Sequence, residues 1–117
     1  MNVLNVMGFG SVLGLGLILL RPLSLEAAGD PANGNLVYEK HCLACHGPQG
    51  KGDGPTGKML KPPPADFTSA ASKTKSEADL RQIIENGKPG TAMPPWKGQL
   101  SETDIINVLG YLSTLRK

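Results

Sequence analysis

From Asp30 to the end of the chain, only 15 of 88 residues are Leu, Ile, Val or Phe, about 17 %. That is below the roughly 20 % expected of a segment that folds on its own hydrophobic core. The charge is low as well: 12 Lys and Arg against 10 Asp and Glu give the chain a formal +2. The segment is therefore not a highly charged disordered tail. The same balance excludes both a nucleic-acid binder built on a strong basic field and an acidic tail. A small, core-poor domain ordinarily needs a staple in the form of disulfides, a metal or a cofactor. Two cysteines cannot build a disulfide-dense scaffold. With 117 residues there is room for one small domain, and 15 Gly with 10 Pro are too many for a regular sheet or a long bundle.

Residues 1–29 stand apart from the rest. Residues 3–20 are nearly all apolar, Arg21-Pro22 closes the run, and Glu26-Ala27-Ala28-Gly29-Asp30 follows. The pattern fits an export signal with small residues near the cut. Two details depart from it: no Lys or Arg precedes the run, and Leu25 or Glu26 occupies the position where a small residue is expected. At about 18 residues the run is also near the lower limit for a membrane-spanning helix, so a retained anchor is the second reading. A buried soluble helix is the third. Either of the first two places residues 30–117 outside the cytoplasmic membrane, with membrane association through residues 3–20 possible. The expectation is a periplasmic domain, soluble or anchored.

Within residues 30–117 the spacing predicts three or four helices joined by long loops, and no strand. Asp30 is placed as N-cap and Pro31 as first helical residue of a helix reaching Lys40, with Leu36, Val37 and Tyr38 as its apolar side. His41 to Lys61 reads as a Gly-rich loop, and Pro62-Pro63-Pro64 as a stiff extended stretch. Ser76-Glu77-Ala78-Asp79 resembles a capping box, opening a helix with Leu80, Ile83 and Ile84 that Gly87 ends. Lys88 to Gln99 is again loop. Ser101 caps a last helix with Ile105, Ile106, Val108, Leu109, Leu112 and Leu115 at helical spacing. Loops this long are unusual unless something is packed inside them.

Cys42-Leu43-Ala44-Cys45-His46 carries the chemistry. Two thiols three positions apart can add to the two vinyl groups of one haem, and the next residue's imidazole then faces the iron; C-x-x-C-H is the signature of c-type haem attachment. The alternatives are a redox dithiol, which expects a βαβ context absent here, half of a zinc site, for which only His41 remains as a further ligand, and a plain disulfide. A second axial ligand could come from Met59, Met93 or His41. His41 adjoins the attachment site and reaches the opposite face poorly. Met93 lies in Gly90-Thr91-Ala92-Met93-Pro94-Pro95-Trp96, where two prolines stiffen the backbone beyond the sulfur, and is the preferred candidate. A His/Met pair raises the reduction potential relative to His/His and leaves no open site on the iron.

Taken together, Cys42-x-x-Cys45-His46-Gly47, Gly50-Lys51-Gly52-Asp53-Gly54-Pro55, Leu60-Lys61-Pro62, Pro64-Ala65-Asp66-Phe67, Ala92-Met93-Pro94-Pro95-Trp96 and the closing helix resemble a small mono-haem class I cytochrome c of the bacterial type. The resemblance covers nearly all of residues 30–117. It implies an all-α cytochrome c fold, with three to four short helices and long loops wrapped around one covalently attached haem c. It implies that Gly34, Tyr38 and Tyr111 form the crossing of the first and last helices. It implies a backbone carbonyl near Pro55 that accepts the His46 Nδ1–H, and a place for Trp96 beside a haem propionate or as an anchor of its loop. Phe67 would lie at the macrocycle edge or in the core.

The implied function is one-electron transfer between larger redox complexes, by an electron-transfer protein and not an enzyme. A haem-bearing subunit or membrane-tethered module of a multi-subunit oxidoreductase is the alternative. Lysines in the haem-wrapping segments are either a docking face for an acidic partner or ordinary solvated surface.

Overall fold

The computed structural model describes residues 10, 14, 16–18 and 28–117. The apolar run on which the export or anchor reading rests otherwise lies outside the described residues. Among the described residues no helix is long and apolar enough to cross a membrane.

The described chain is helical: α1 (Pro31–His41), α2 (Leu43–His46), a 3-10 turn (Gly57–Met59), α3 (Ala70–Lys73), α4 (Glu77–Asn86) and α5 (Glu102–Leu115). Three of these begin and end where local chemistry places them. The Asp30 carboxylate accepts the Ala32 N–H at 2.9 Å, with Pro31 at the first helical turn. Reciprocal capping boxes join Ser76 to Asp79 and Ser101 to Asp104. Gly87, at φ 70°, turns the chain out of α4, a conformation that favours glycine. Among the described residues there are five α-helices instead of three or four. The two additions, α2 and α3, are single turns, too short to carry a periodic apolar pattern; α3 is held by the Ser69 hydroxyl accepting the Ser72 N–H.

The core lies where α1 crosses α5 and extends to α4 and Phe67. On α1 the buried line is Gly34 and Tyr38, whereas Leu36 is 63 % exposed, which corrects the expectation that Leu36 belongs to the apolar side. Close approach decides this face rather than hydrophobicity. A Cβ on Gly34 would overlap the Asn107 carbonyl, and one on Gly110 would overlap the backbone of Gly29, so the two helices meet backbone to backbone. Tyr38 and Tyr111 seal the crossing, ring centroids 5.0 Å apart and tilted. Asn107 Oδ1 accepts the Asp30 N–H at 3.0 Å, tying the start of α1 to the middle of α5.

Candidate functional site

Two loops leave the helical core and wall off a large apolar cavity. The first runs from α2 to Phe67. Gly52 donates to the His46 carbonyl at 2.8 Å, Thr56 to Ala44 at 2.9 Å, and Phe67 to Gly50 at 2.7 Å, folding this loop around α2. The second runs from Gly87 to Leu100. It is strapped to the C-terminal carbonyls of α4, Trp96 N–H to Ile84 at 2.9 Å and Lys97 N–H to Glu85 at 3.1 Å. Between the loops lies a cavity of about 190 Å³. Cys42, Cys45 and His46 contribute to its wall from the α2 side, Pro62 to Ala65 and Phe67 from the first loop, Leu80, Ile83 and Ile84 from α4, and Met93 and Trp96 from the second loop.

His46 is held on two sides. Its Nδ1 is 3.2 Å from the Ala65 carbonyl oxygen; that acceptor selects the Nδ1–H tautomer and leaves the Nε2 lone pair for a metal. Its ring stacks on Phe67, centroids 4.7 Å apart at 21°. Burial holds its pKa below the ordinary histidine value, against the opposing effect of the bond to Ala65, a shift that favours the neutral, coordinating form of the imidazole. The acceptor is Ala65, not Pro55, which corrects that expectation. The turn containing Pro55 lies against the backbone of α2, where Gly54 donates to Cys45 at 3.1 Å and a Cβ on Gly54 would overlap the Ala44 carbonyl. The segment after the prolines is the one that passes the ring.

Cys42 and Cys45 are both free and half-buried, so the disulfide alternative is not realised. Burial, with Cys45 alongside, pushes the Cys42 thiol up to about 11. A reactive redox dithiol has a depressed thiol pKa instead. Among the described residues no group of three His, Cys, Asp or Glu side chains could hold a metal ion, which leaves the zinc alternative without a ligand set.

Met93 lies in the cavity wall, half-buried, with its backbone fixed at both groups: its N–H donates to Thr91 Oγ1 at 3.2 Å and its carbonyl accepts from Lys88 N–H at 3.1 Å. Gly87 makes this possible, since a Cβ there would lie 2.8 Å from the Met93 carbonyl oxygen. Met59 is 77 % exposed and contributes nothing to the wall. Trp96 lines the cavity and packs against the core, its ring edge-on to His41 at 5.1 Å, which fits its reading as an anchor of the loop. Sequence reasoning missed Ala65, the stack of Phe67 on His46, and Arg116, whose guanidinium bonds to the Ser72 and Lys75 carbonyls. A carbonyl acceptor has no side-chain signature, and no sequence signal marks Ala65.

A helical domain in which C-x-x-C-H and a Met-bearing loop share one apolar cavity is the arrangement of a c-type cytochrome. The profile of the family described as cytochrome c oxidase, cbb3-type, subunit III matches residues 29–112, and the chain belongs to that family. It is 34 % identical over 91 residues to cytochrome c-554(547) of Halothiobacillus neapolitanus, an alignment covering 76 % of this chain and all of that protein. Against the cbb3-type cytochrome c oxidase subunit CcoP of Azospirillum brasilense the identity is 31 % over 99 residues, 85 % of this chain but only 32 % of the relative. A chain of the reducing HAO-like protein complex of Kuenenia stuttgartiensis superposes with a TM-score of 0.67 at 28 % identity, over 75 % of this chain and 43 % of that one.

The chain is thus a small class I c-type cytochrome, with covalently bound haem c as its cofactor and electron transfer as its function. The residues present fit that group. Two free thiols, which would bond to the haem vinyl groups, share an apolar wall with an imidazole whose Nε2 is available and a residue bearing a thioether, the donor types of a cytochrome c iron.

Proposed function

We propose that this domain is a one-electron carrier outside the cytoplasmic membrane, with low-spin haem c joined to Cys42 and Cys45 and its iron held between His46 and Met93. The observation that carries the reading is that Met93 and His46 line the same cavity as the two cysteines while Met59 faces solvent. When bound, haem c supplies a one-electron ferric/ferrous couple. The chain's own residues do the rest. The Ala65 carbonyl fixes the orientation and basicity of the His46 ring. Phe67 keeps that ring from rotating. The two backbone hydrogen bonds of Met93 hold its sulfur where a mobile loop would let it wander. The apolar wall limits water, favouring the ferrous state and small reorganisation. With His46 and Met93 both serving as ligands, the iron would offer no position to a substrate, as suits a carrier rather than an enzyme. The apolar run at residues 3–20 supports export.

The absorption spectrum of the oxidised holoprotein tests the ligand assignment. A weak near-red iron–thioether band is expected, and Met93→Ala should abolish it and lower the potential. A spectrum unchanged in that variant transfers the role to Met59.

A second reading, a haem-bearing module within a larger oxidoreductase, is favoured by the cbb3-type family match and by the chain's likeness to parts of longer proteins. Isolation from native membranes distinguishes the two. A carrier elutes alone, whereas a module elutes with its complex. The mass of the purified chain shows whether residues 1–28 are retained.

A further inference from the structure

Among the described residues, Lys75 and Lys88 are the only Lys, Arg, Asp or Glu residues lining the cavity. The haem that the family carries brings two propionate carboxylates. A carboxylate against an apolar wall is costly unless a cation or several donors compensate it. The wall offers two cations and no competing carboxylate. We propose that Lys75 and Lys88 each hold one propionate of the haem.

Both lysines spring from fixed backbone. Arg116 donates to the Lys75 carbonyl, and to that of Ser72 at 2.6 Å. The Lys88 N–H donates to Met93 at 3.1 Å, and its carbonyl accepts the Thr91 N–H at 3.1 Å and the Thr91 hydroxyl at 2.7 Å. The two lie beyond opposite ends of α4, whose ten residues span about 15 Å, so each serves a different carboxylate. Both line the cavity yet are exposed, the pattern of a side chain whose apolar stem can cover an apolar wall while its charged head keeps to water. Arg116 is not itself a counter-ion, because it lies outside the cavity wall with its guanidinium on backbone carbonyls. The assignment rests on the family's covalent haem and is independent of which methionine binds the iron.

The test uses holoprotein carrying Lys75→Gln or Lys88→Gln, with Lys73→Gln and Lys97→Gln as neighbouring lysines outside the wall. Absorption spectra and covalent haem content check the haem and its ligation separately from the potential. Removing a cation beside the propionates favours ferric iron. Each wall variant should therefore lower the equilibrium constant for reduction about threefold, the Arg variants should restore it, and the shift should persist at 1 M salt. The controls should shift less and lose even that at 1 M salt, where the screening length is about 3 Å. Shifts no larger than the controls, or abolished by salt, overturn the proposal. If a Gln variant fails to load haem, loading regained with Arg supports it, and failure with both overturns it.

Discussion

The helix crossing and the loop-walled cavity are two ways of making an interior. At the crossing, α1 and α5 touch through glycine backbone, a tyrosine pair and the buried residues Ile105, Val108 and Leu109. The protein supplies both sides of every contact. At the cavity, Leu80, Ile84, Met93 and Trp96 turn apolar surface toward a space that the protein does not fill. The shortage of core formers is thus local: it falls on the side that the haem completes.

Removing both thiols is the strongest way to break this comparison. Cys42→Ala/Cys45→Ala should eliminate haem that survives extraction by acidified solvent, and should leave a chain without a cooperative unfolding transition. A colourless variant that still unfolds cooperatively would show that the crossing suffices alone. Gly34→Val strikes the other half. Its side chain must displace the Asn107 carbonyl, and overpacking of this kind costs about 3 kcal/mol, so the thermal midpoint of the holoprotein should fall by more than about 10 °C. Tyr38→Phe tests the link between the halves. It keeps the ring against Tyr111 but removes the hydroxyl that donates to the Gly47 carbonyl beside His46, and denaturant titration should show a loss of about 1–2 kcal/mol.

The smallest effect belongs to α4. Ser76→Ala should cost about 1 kcal/mol through the lost cap. In the parent chain the Ser76 backbone N–H, and then its hydroxyl, hold the Asp79 carboxyl below the ordinary carboxylate range. That contribution to stability is therefore present above the ordinary range and is lost as pH falls through the folded value. An NMR titration should find the Asp79 carboxyl moved part of the way back up in the variant.

The legible parts of the fold are those whose causes are local. Asp30, Ser76, Ser101 and Gly87 mark helix ends because a side-chain oxygen or a left-handed residue suffices to make one. The periodic apolar positions of α5 include all four of its buried residues, Ile105, Val108, Leu109 and Leu112, while Ile106 and Leu115 are only half-buried. In α1 the same logic puts Leu36 inside, where the distance between two helices instead selects Gly34. At the site, Cys42, Cys45, His46, Met93 and Trp96 all reach one cavity from a spacing rule and a proline-stiffened loop. The hydrogen-bond partner of His46 was not legible: every residue has a carbonyl, and only the path of the chain after Pro64 decides that Ala65 presents the right one.

The tie between Asp30 and Asn107 has a kinetic consequence. It spans 77 positions, so folding the crossing first means closing nearly the whole domain into a single ring of chain, at an entropic cost of about 4 kcal/mol before any constant term. A ligand already fastened at residues 42–45 can gather the intervening segments and divide that long closure into shorter ones. The topology therefore favours a sequence of events in which cofactor attachment precedes the meeting of the termini.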